Sequence, residues 1–188
     1  MLVAAVLVAG CFDLSELDVV SIASTEGGGA APAGCIPEGV APGVLEGDVM
    51  AEQKFKNRDG ERISLRENCG RVTLLGFGAG WCIGCREEMP HFVKWQQELS
   101  EDLAIYYVLW QDNANQPAST SFAGEWADEY SANFPIVVDP TGRIRQLYAP
   151  ELDLPTTILI DRHMVIRKIR FYATVDALRP AVDELLAE

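Results

Sequence analysis

Apolar and polar positions alternate along this chain between continuous short runs and helical stripes. Val72-Thr73-Leu74-Leu75-Gly76-Phe77 is a β-branched and apolar run, and Leu103 to Trp110 is another. Continuous runs of that length predict strands covered on both faces. Between them Met89, Phe92, Val93 and Leu99 can share one helix face, with polar residues elsewhere. Ser119 to Ala132 predicts a second helix, because Phe122, Trp126 and Tyr130 stand four apart on one stripe. Ile136-Val137-Val138 predicts a third strand, closed by the turn residues Asp139-Pro140-Thr141-Gly142. Thr156 to Ile160 and Val165 to Phe171 predict an antiparallel pair around Asp161-Arg162-His163. A last helix opens at Thr174 as N-cap and turns Leu178, Val182, Leu185 and Leu186 inward. Upstream, Lys54 to Leu65 predicts two short strands joined at Asp59-Gly60, a dipeptide suited to a hairpin. This order predicts an α/β domain with a mixed central β-sheet between helices and an N-terminal β-hairpin.

The domain is expected to span residues 45–188. Before it, residues 11–44 include Ser24-Thr25-Glu26-Gly27-Gly28-Gly29-Ala30-Ala31-Pro32, a composition that buries too little apolar surface to offset chain entropy. That stretch reads as a flexible tether. Residues 1–10 are small or apolar and run straight into Cys11. Leu2 to Ala9 is too short to cross a bilayer, which takes about 20 residues, and matches the core of a signal peptide without its usual basic start. Leu7-Val8-Ala9-Gly10-Cys11 resembles a bacterial lipoprotein signal, in which the peptide is cut before the Cys and that Cys is lipidated. The competing account is a short buried segment with an incidental Cys. The lipoprotein account places the protein outside the cytoplasm, in an oxidising compartment.

Composition narrows the partners. A chain of 188 residues, nearly half hydrophobic, suits one soluble domain with an extension. Its formal net charge of −13 repels phosphate backbones, which argues against nucleic-acid binding.

The chemistry sits in Trp81-Cys82-Ile83-Gly84-Cys85, placed between a strand and a helix. Two intervening residues let the sulfurs of Cys82 and Cys85 meet across one helical turn. Cys82 at the helix start is favoured as a thiolate by unpaired N–H groups and the helix dipole. It would attack a substrate disulfide, and Cys85, half-buried one turn on, would resolve the mixed disulfide. A zinc site would need a second ligand pair, and none accompanies this one; His91 and His163 stand alone. Covalent haem attachment would need His where Arg86 stands. No metal or cofactor is expected. Of the five cysteines, Cys35 and Cys69 remain; they form either a structural disulfide or two free thiols.

The run from Gly70 to Pro90 resembles the active-site segment of thioredoxin-like proteins, closest to the extracytoplasmic, membrane-tethered TlpA-like branch. These are related to the alkyl hydroperoxide reductase/thiol-specific antioxidant proteins. Asp139-Pro140-Thr141-Gly142, Leu154-Pro155-Thr156-Thr157 and Ile160-Asp161-Arg162 fall where that family has comparable segments. The resemblance implies a thioredoxin-like fold and a thiol–disulfide oxidoreductase that reduces or isomerises disulfides of substrate proteins. Its electrons would come from a membrane thiol donor. It also implies that Pro155 is cis and faces the dithiol, leaving Leu154 free to pair with an extended substrate strand. Trp81 would shield Cys82. Two departures matter. Cytoplasmic thioredoxins have a buried Asp where Gly76 stands, so the proton acceptor for Cys85 is open; Glu88, three residues on, is the candidate because relatives place an acid there. Ile83-Gly84 lacks the Pro of thioredoxin and the His of strong oxidants, and carries no charge or side-chain donor. Two other functions compete: a thiol peroxidase of the related group, which would need Thr where Ala79 stands, and a non-enzymatic thioredoxin-fold binding module.

Overall fold

A computed structural model describes residues 33–148, 150, 154–171 and 174–188; the expected signal, Cys11 and most of the expected tether lie outside them. The elements run β1 (Pro42–Gly43), β2 (Val49–Met50), β3 (Lys54–Asn57), β4 (Arg62–Ser64), β5 (Val72–Gly78), α1 (Ile83–Leu99), β6 (Leu103–Leu109), α2 (Thr120–Tyr130), β7 (Ile136–Val138), α3 (Arg143–Tyr148), β8 (Thr156–Ile160), β9 (Ile166–Phe171) and α4 (Val175–Leu186). A single 3-10 turn, Leu65–Asn68, follows β4.

Seven strands form one sheet in the order β4-β3-β7-β6-β5-β8-β9. β5, β6 and β7 are parallel, while β3, β8 and β9 run antiparallel to their neighbours, so the sheet is mixed as expected. Every residue of β5 and of β6 is buried, which accounts for their unbroken apolar sequence. The β3–β4 hairpin pairs Phe55 with Ile63 and docks through Lys56 and Asn57 onto β7, extending the main sheet.

Helices cover both faces. Tyr107 of β6 touches Phe92 of α1 and Trp126 of α2, so these two helices share a face. Arg179 of α4 lies over Trp95 of α1 and places α4 there too. Phe77 points to the other face, alternating with Gly76 and Gly78, and stacks on Tyr148 of α3. The helix α3 has no counterpart in the hydrophobic pattern because six residues give less than two turns of periodicity. Its start is held by polar contacts instead: Arg145 N–H donates to Asp139 Oδ2 at 2.9 Å, and Arg143 N–H to Thr141 Oγ1 at 3.4 Å.

Packing also begins upstream of Leu45. Cys35 is disulfide-bonded to Cys69, Cα to Cα 6.0 Å, and Cys35, Ile36 and Val44 pack against the core. Val49 and Met50 are buried, and Met50 N–H donates to the Met164 carbonyl at 2.8 Å.

Candidate active site

Three elements build the site: the loop leaving β5, the start of α1 and the loop entering β8. The loop is short because β5 and α1 are adjacent in space. Gly80 N–H donates to the Gln111 carbonyl at 2.9 Å, and a side chain at Gly80 would collide with the backbone of Asp112 and Asn113. Arg86 of α1 reaches back across this loop. Its Nη2 and Nε donate to the Gly80 carbonyl at 2.8 and 3.0 Å, and its Nη2 also to Asn113 Oδ1 at 2.6 Å. The same guanidinium meets Glu129 Oε1 at 3.0 Å and lies 4.9 Å over the Trp126 ring.

Cys82 is the N-cap of α1, and its sulfur accepts the Cys85 N–H at 3.1 Å. Cys82 and Cys85 are joined as a disulfide, with Cα atoms 5.2 Å apart. Cys82 keeps 5% of its surface exposed and Cys85 none. Cys85 is thus fully buried rather than half-buried: it belongs to the hydrophobic core, and the Tyr107 hydroxyl lies 3.4 Å from its carbonyl. Trp81 is 40% exposed and its indole N–H donates to Gln111 Oε1 at 3.0 Å. Ile83 is 73% exposed, so two large apolar side chains flank the dithiol at the surface.

The Leu154–Pro155 bond is cis. Pro155 lies across from Gly84, where an added Cβ would come 3.1 Å from Pro155 Cδ; glycine at this place allows the close approach. Beside them opens a cavity of about 480 Å³, with Glu88, His91, Pro155 and Asp176 among its walls. His91 therefore borders the site, whereas Trp95 is buried in the core. Asp112 is a loop residue, accepting N–H bonds from Ala114 and Gln116.

Glu88 is only 2% exposed. Its Oε1 accepts the Tyr107 hydroxyl at 2.7 Å, while its Oε2 is buried with no hydrogen-bond partner among the described residues. Burial disfavours the charged form and pushes the carboxyl up to about 8, against the opposing effect of the Tyr107 bond. The Tyr107 hydroxyl also lies 3.4 Å from the Cys85 carbonyl, and its own pKa is pushed well up, by burial first and by Glu88 second. Sequence reasoning missed Tyr107 and Arg86. Gly76 and Gly78 inside a buried strand were the available signal for Tyr107, since interior strand glycines mark a close approach.

A thioredoxin-like fold that places a Cys-x-x-Cys disulfide at the start of a helix, opposite a cis proline, defines a thiol–disulfide oxidoreductase. The AhpC/TSA family profile matches residues 47–169, and the chain belongs to that family. It is 35% identical over 127 residues to the thioredoxin-like protein YneN of Bacillus subtilis, covering 68% of this chain and 72% of that one. It is 37% identical over 115 residues to the thiol-disulfide oxidoreductase ResA of Halalkalibacterium halodurans, covering 61% and 62% of the two chains. Among solved structures, the exposed lipoprotein thioredoxin Etrx1 of Streptococcus pneumoniae superposes with a TM-score of 0.61 at 24% identity, over 72% of this chain and all of that one; at that identity the likeness concerns the fold. Among the described residues no helix is long and apolar enough to cross a membrane.

Proposed function

We propose that the protein is a reductase or isomerase of protein disulfides outside the cytoplasm, held at a bacterial membrane through lipid on Cys11 and re-reduced by a membrane thiol donor. The observation that carries the redox part is the placement of Cys82 as N-cap of α1, the more exposed of the two bonded cysteines. Reduced there, its thiolate gains from the helix N-terminus, which makes Cys82 the attacking sulfur and buried Cys85 the resolving one. Trp81 and Ile83 offer an apolar surface for a substrate segment, and Leu154 a backbone edge for it to pair with. Ile83-Gly84 stabilises a thiolate weakly, which favours reduction or isomerisation over strong oxidation. Glu88 is the proton acceptor for Cys85.

A Cys85→Ser variant expressed in the native cell is expected to accumulate mixed disulfides on Cys82, released by dithiothreitol; absence of any adduct overturns this order of attack. Labelling with a radioactive fatty acid, with Cys11→Ala as control, tests the anchor. A second reading, thiol peroxidase, draws on the AhpC/TSA match. Consumption of peroxide without disulfide reduction would favour it, while the alanine at position 79 counts against it.

A further inference from the structure

Gly76 and Gly78 lie on the same face of β5, and the parallel register sets Tyr107 of β6 directly beside Gly76. A methyl group at Gly76 would come 2.8 Å from Tyr107 Cδ2, and one at Gly78 would collide with the Tyr107 hydroxyl. The two glycines leave a slot that the Tyr107 ring fills, between Phe92 at 6.2 Å and Trp126 at 6.4 Å. The ring is fully buried, and a buried phenol needs a partner for its hydroxyl. Two acceptors are within reach, Glu88 Oε1 at 2.7 Å and the Cys85 carbonyl at 3.4 Å, for one phenol proton. While Glu88 is ionised, Tyr107 donates to it. Once Glu88 is protonated, its O–H can donate to the phenol oxygen, and the phenol proton turns to Cys85.

We propose that Tyr107 is a positioning residue that holds the Glu88 carboxyl beside the Cys85 turn of α1 and adjusts its readiness to take the Cys85 proton. The inference rests on reading Glu88 as that proton acceptor. Cys82 thiolate first attacks a substrate disulfide, forming a mixed disulfide and releasing one substrate thiolate. The Cys85 thiol then passes its proton to the Glu88 carboxylate. The new Cys85 thiolate attacks the Cys82 sulfur; the Cys82–Cys85 bond forms, the Cys82–substrate bond breaks, and the second substrate sulfur leaves as thiolate. Two electrons have moved from the dithiol to the substrate, and Glu88 later returns its proton to solvent or to that thiolate. The phenol contributes no electron and no net proton. It stabilises the ionised carboxyl by a hydrogen bond, opposing the burial that favours the neutral form. Among the described residues, the other titratable groups bordering the cavity are Glu87 and His91 on the same helix and Asp176 of α4, and Tyr130 of α2 acts on Tyr107.

A chromogenic aromatic disulfide separates the steps by stopped flow, since Cys82 attack releases the first coloured thiolate and Cys85 resolution the second. The wild-type second phase is expected to accelerate with pH. Tyr107→Phe keeps the ring in its slot; it should leave the first phase unchanged and move the second-phase midpoint up by about one pH unit, slowing it about tenfold near neutrality, as loss of one hydrogen bond to a charged group does. At alkaline pH the two proteins should converge. Glu88→Gln should move the limb to the range of an unassisted buried thiol. A wild-type midpoint in Glu88→Gln overturns the Glu88 reading itself. A shifted limb in Glu88→Gln with an unshifted one in Tyr107→Phe overturns the role of Tyr107 alone. Equal slowing of both phases at every pH also overturns it, because it would mark a purely structural residue.

Discussion

The carboxyl of Glu88 loses nearly all contact with water on folding, and the Tyr107 hydroxyl donates to its Oε1 at 2.7 Å while Oε2 has no hydrogen-bond partner among the described residues. An acid in that setting links stability to pH. Its pKa rises from 4.5 to about 8, so the folded state holds the proton more tightly than the unfolded one. The stability from that proton is therefore complete below the unfolded value and is lost as pH climbs toward the folded one, by up to about 1.4 kcal/mol per unit. Glu88→Gln cannot ionise and should lack this slope. Urea unfolding of both proteins across that window is expected to show the variant gaining on the wild type as pH rises; parallel curves would contradict the burial argument. At this scale the sequence was legible where spacing alone carries meaning, as for Cys82 and Cys85. It was opaque for Tyr107, whose partner Glu88 lies 19 residues away on another element, so that only the fold brings them together.

Between elements, the junction from β5 to α1 depends on a side chain that reaches backward. Arg86 grips the Gly80 carbonyl with two nitrogens and Asn113 with one, which fixes the backbone that carries Trp81 and Cys82. A lysine has a single nitrogen and no planar fork. Arg86→Lys is expected to lower stability by about 1–3 kcal/mol through broken hydrogen bonds to the loop. Denaturant unfolding measures that loss, and near-ultraviolet circular dichroism should report a changed Trp81 environment; an unchanged midpoint would remove the clamp. The long elements were readable because their faces are buried: β5, β6, α1 and α2 follow from apolar runs and stripes. The pairs β1–β2 and the helix α3 were not, since two-residue strands and a six-residue helix are held by backbone and polar contacts that leave no period.

Over the whole molecule, the N-terminal segment is fastened twice. The Cys35–Cys69 bond joins residues 34 apart in sequence beside the Arg162 carbonyl, and Val49 and Met50 fill buried positions beside β9. Cross-linking at that separation mainly limits the unfolded chain. The double variant Cys35→Ser/Cys69→Ser should lose about 2–4 kcal/mol of stability while retaining dithiol activity. Unfolding with urea in the absence of reductant checks the first part; no loss would mean that the bond does not constrain the unfolded state. The cysteine count showed that these two residues were left over, but pairing is a matter of distance across the fold, which a count does not contain. The arrangement of strands was legible as a class because strand and helix alternate, and the resemblance around the dithiol supplied the rest.

The central claim is that Cys82 and Cys85 act together as the working dithiol of a disulfide reductase. Reduction of insulin by dithiothreitol, followed by turbidity, tests it most directly with wild-type protein and Cys82→Ser side by side. The wild type is expected to accelerate precipitation in proportion to its concentration, and the variant to run at the uncatalysed rate. Equal rates for the two proteins would contradict the account.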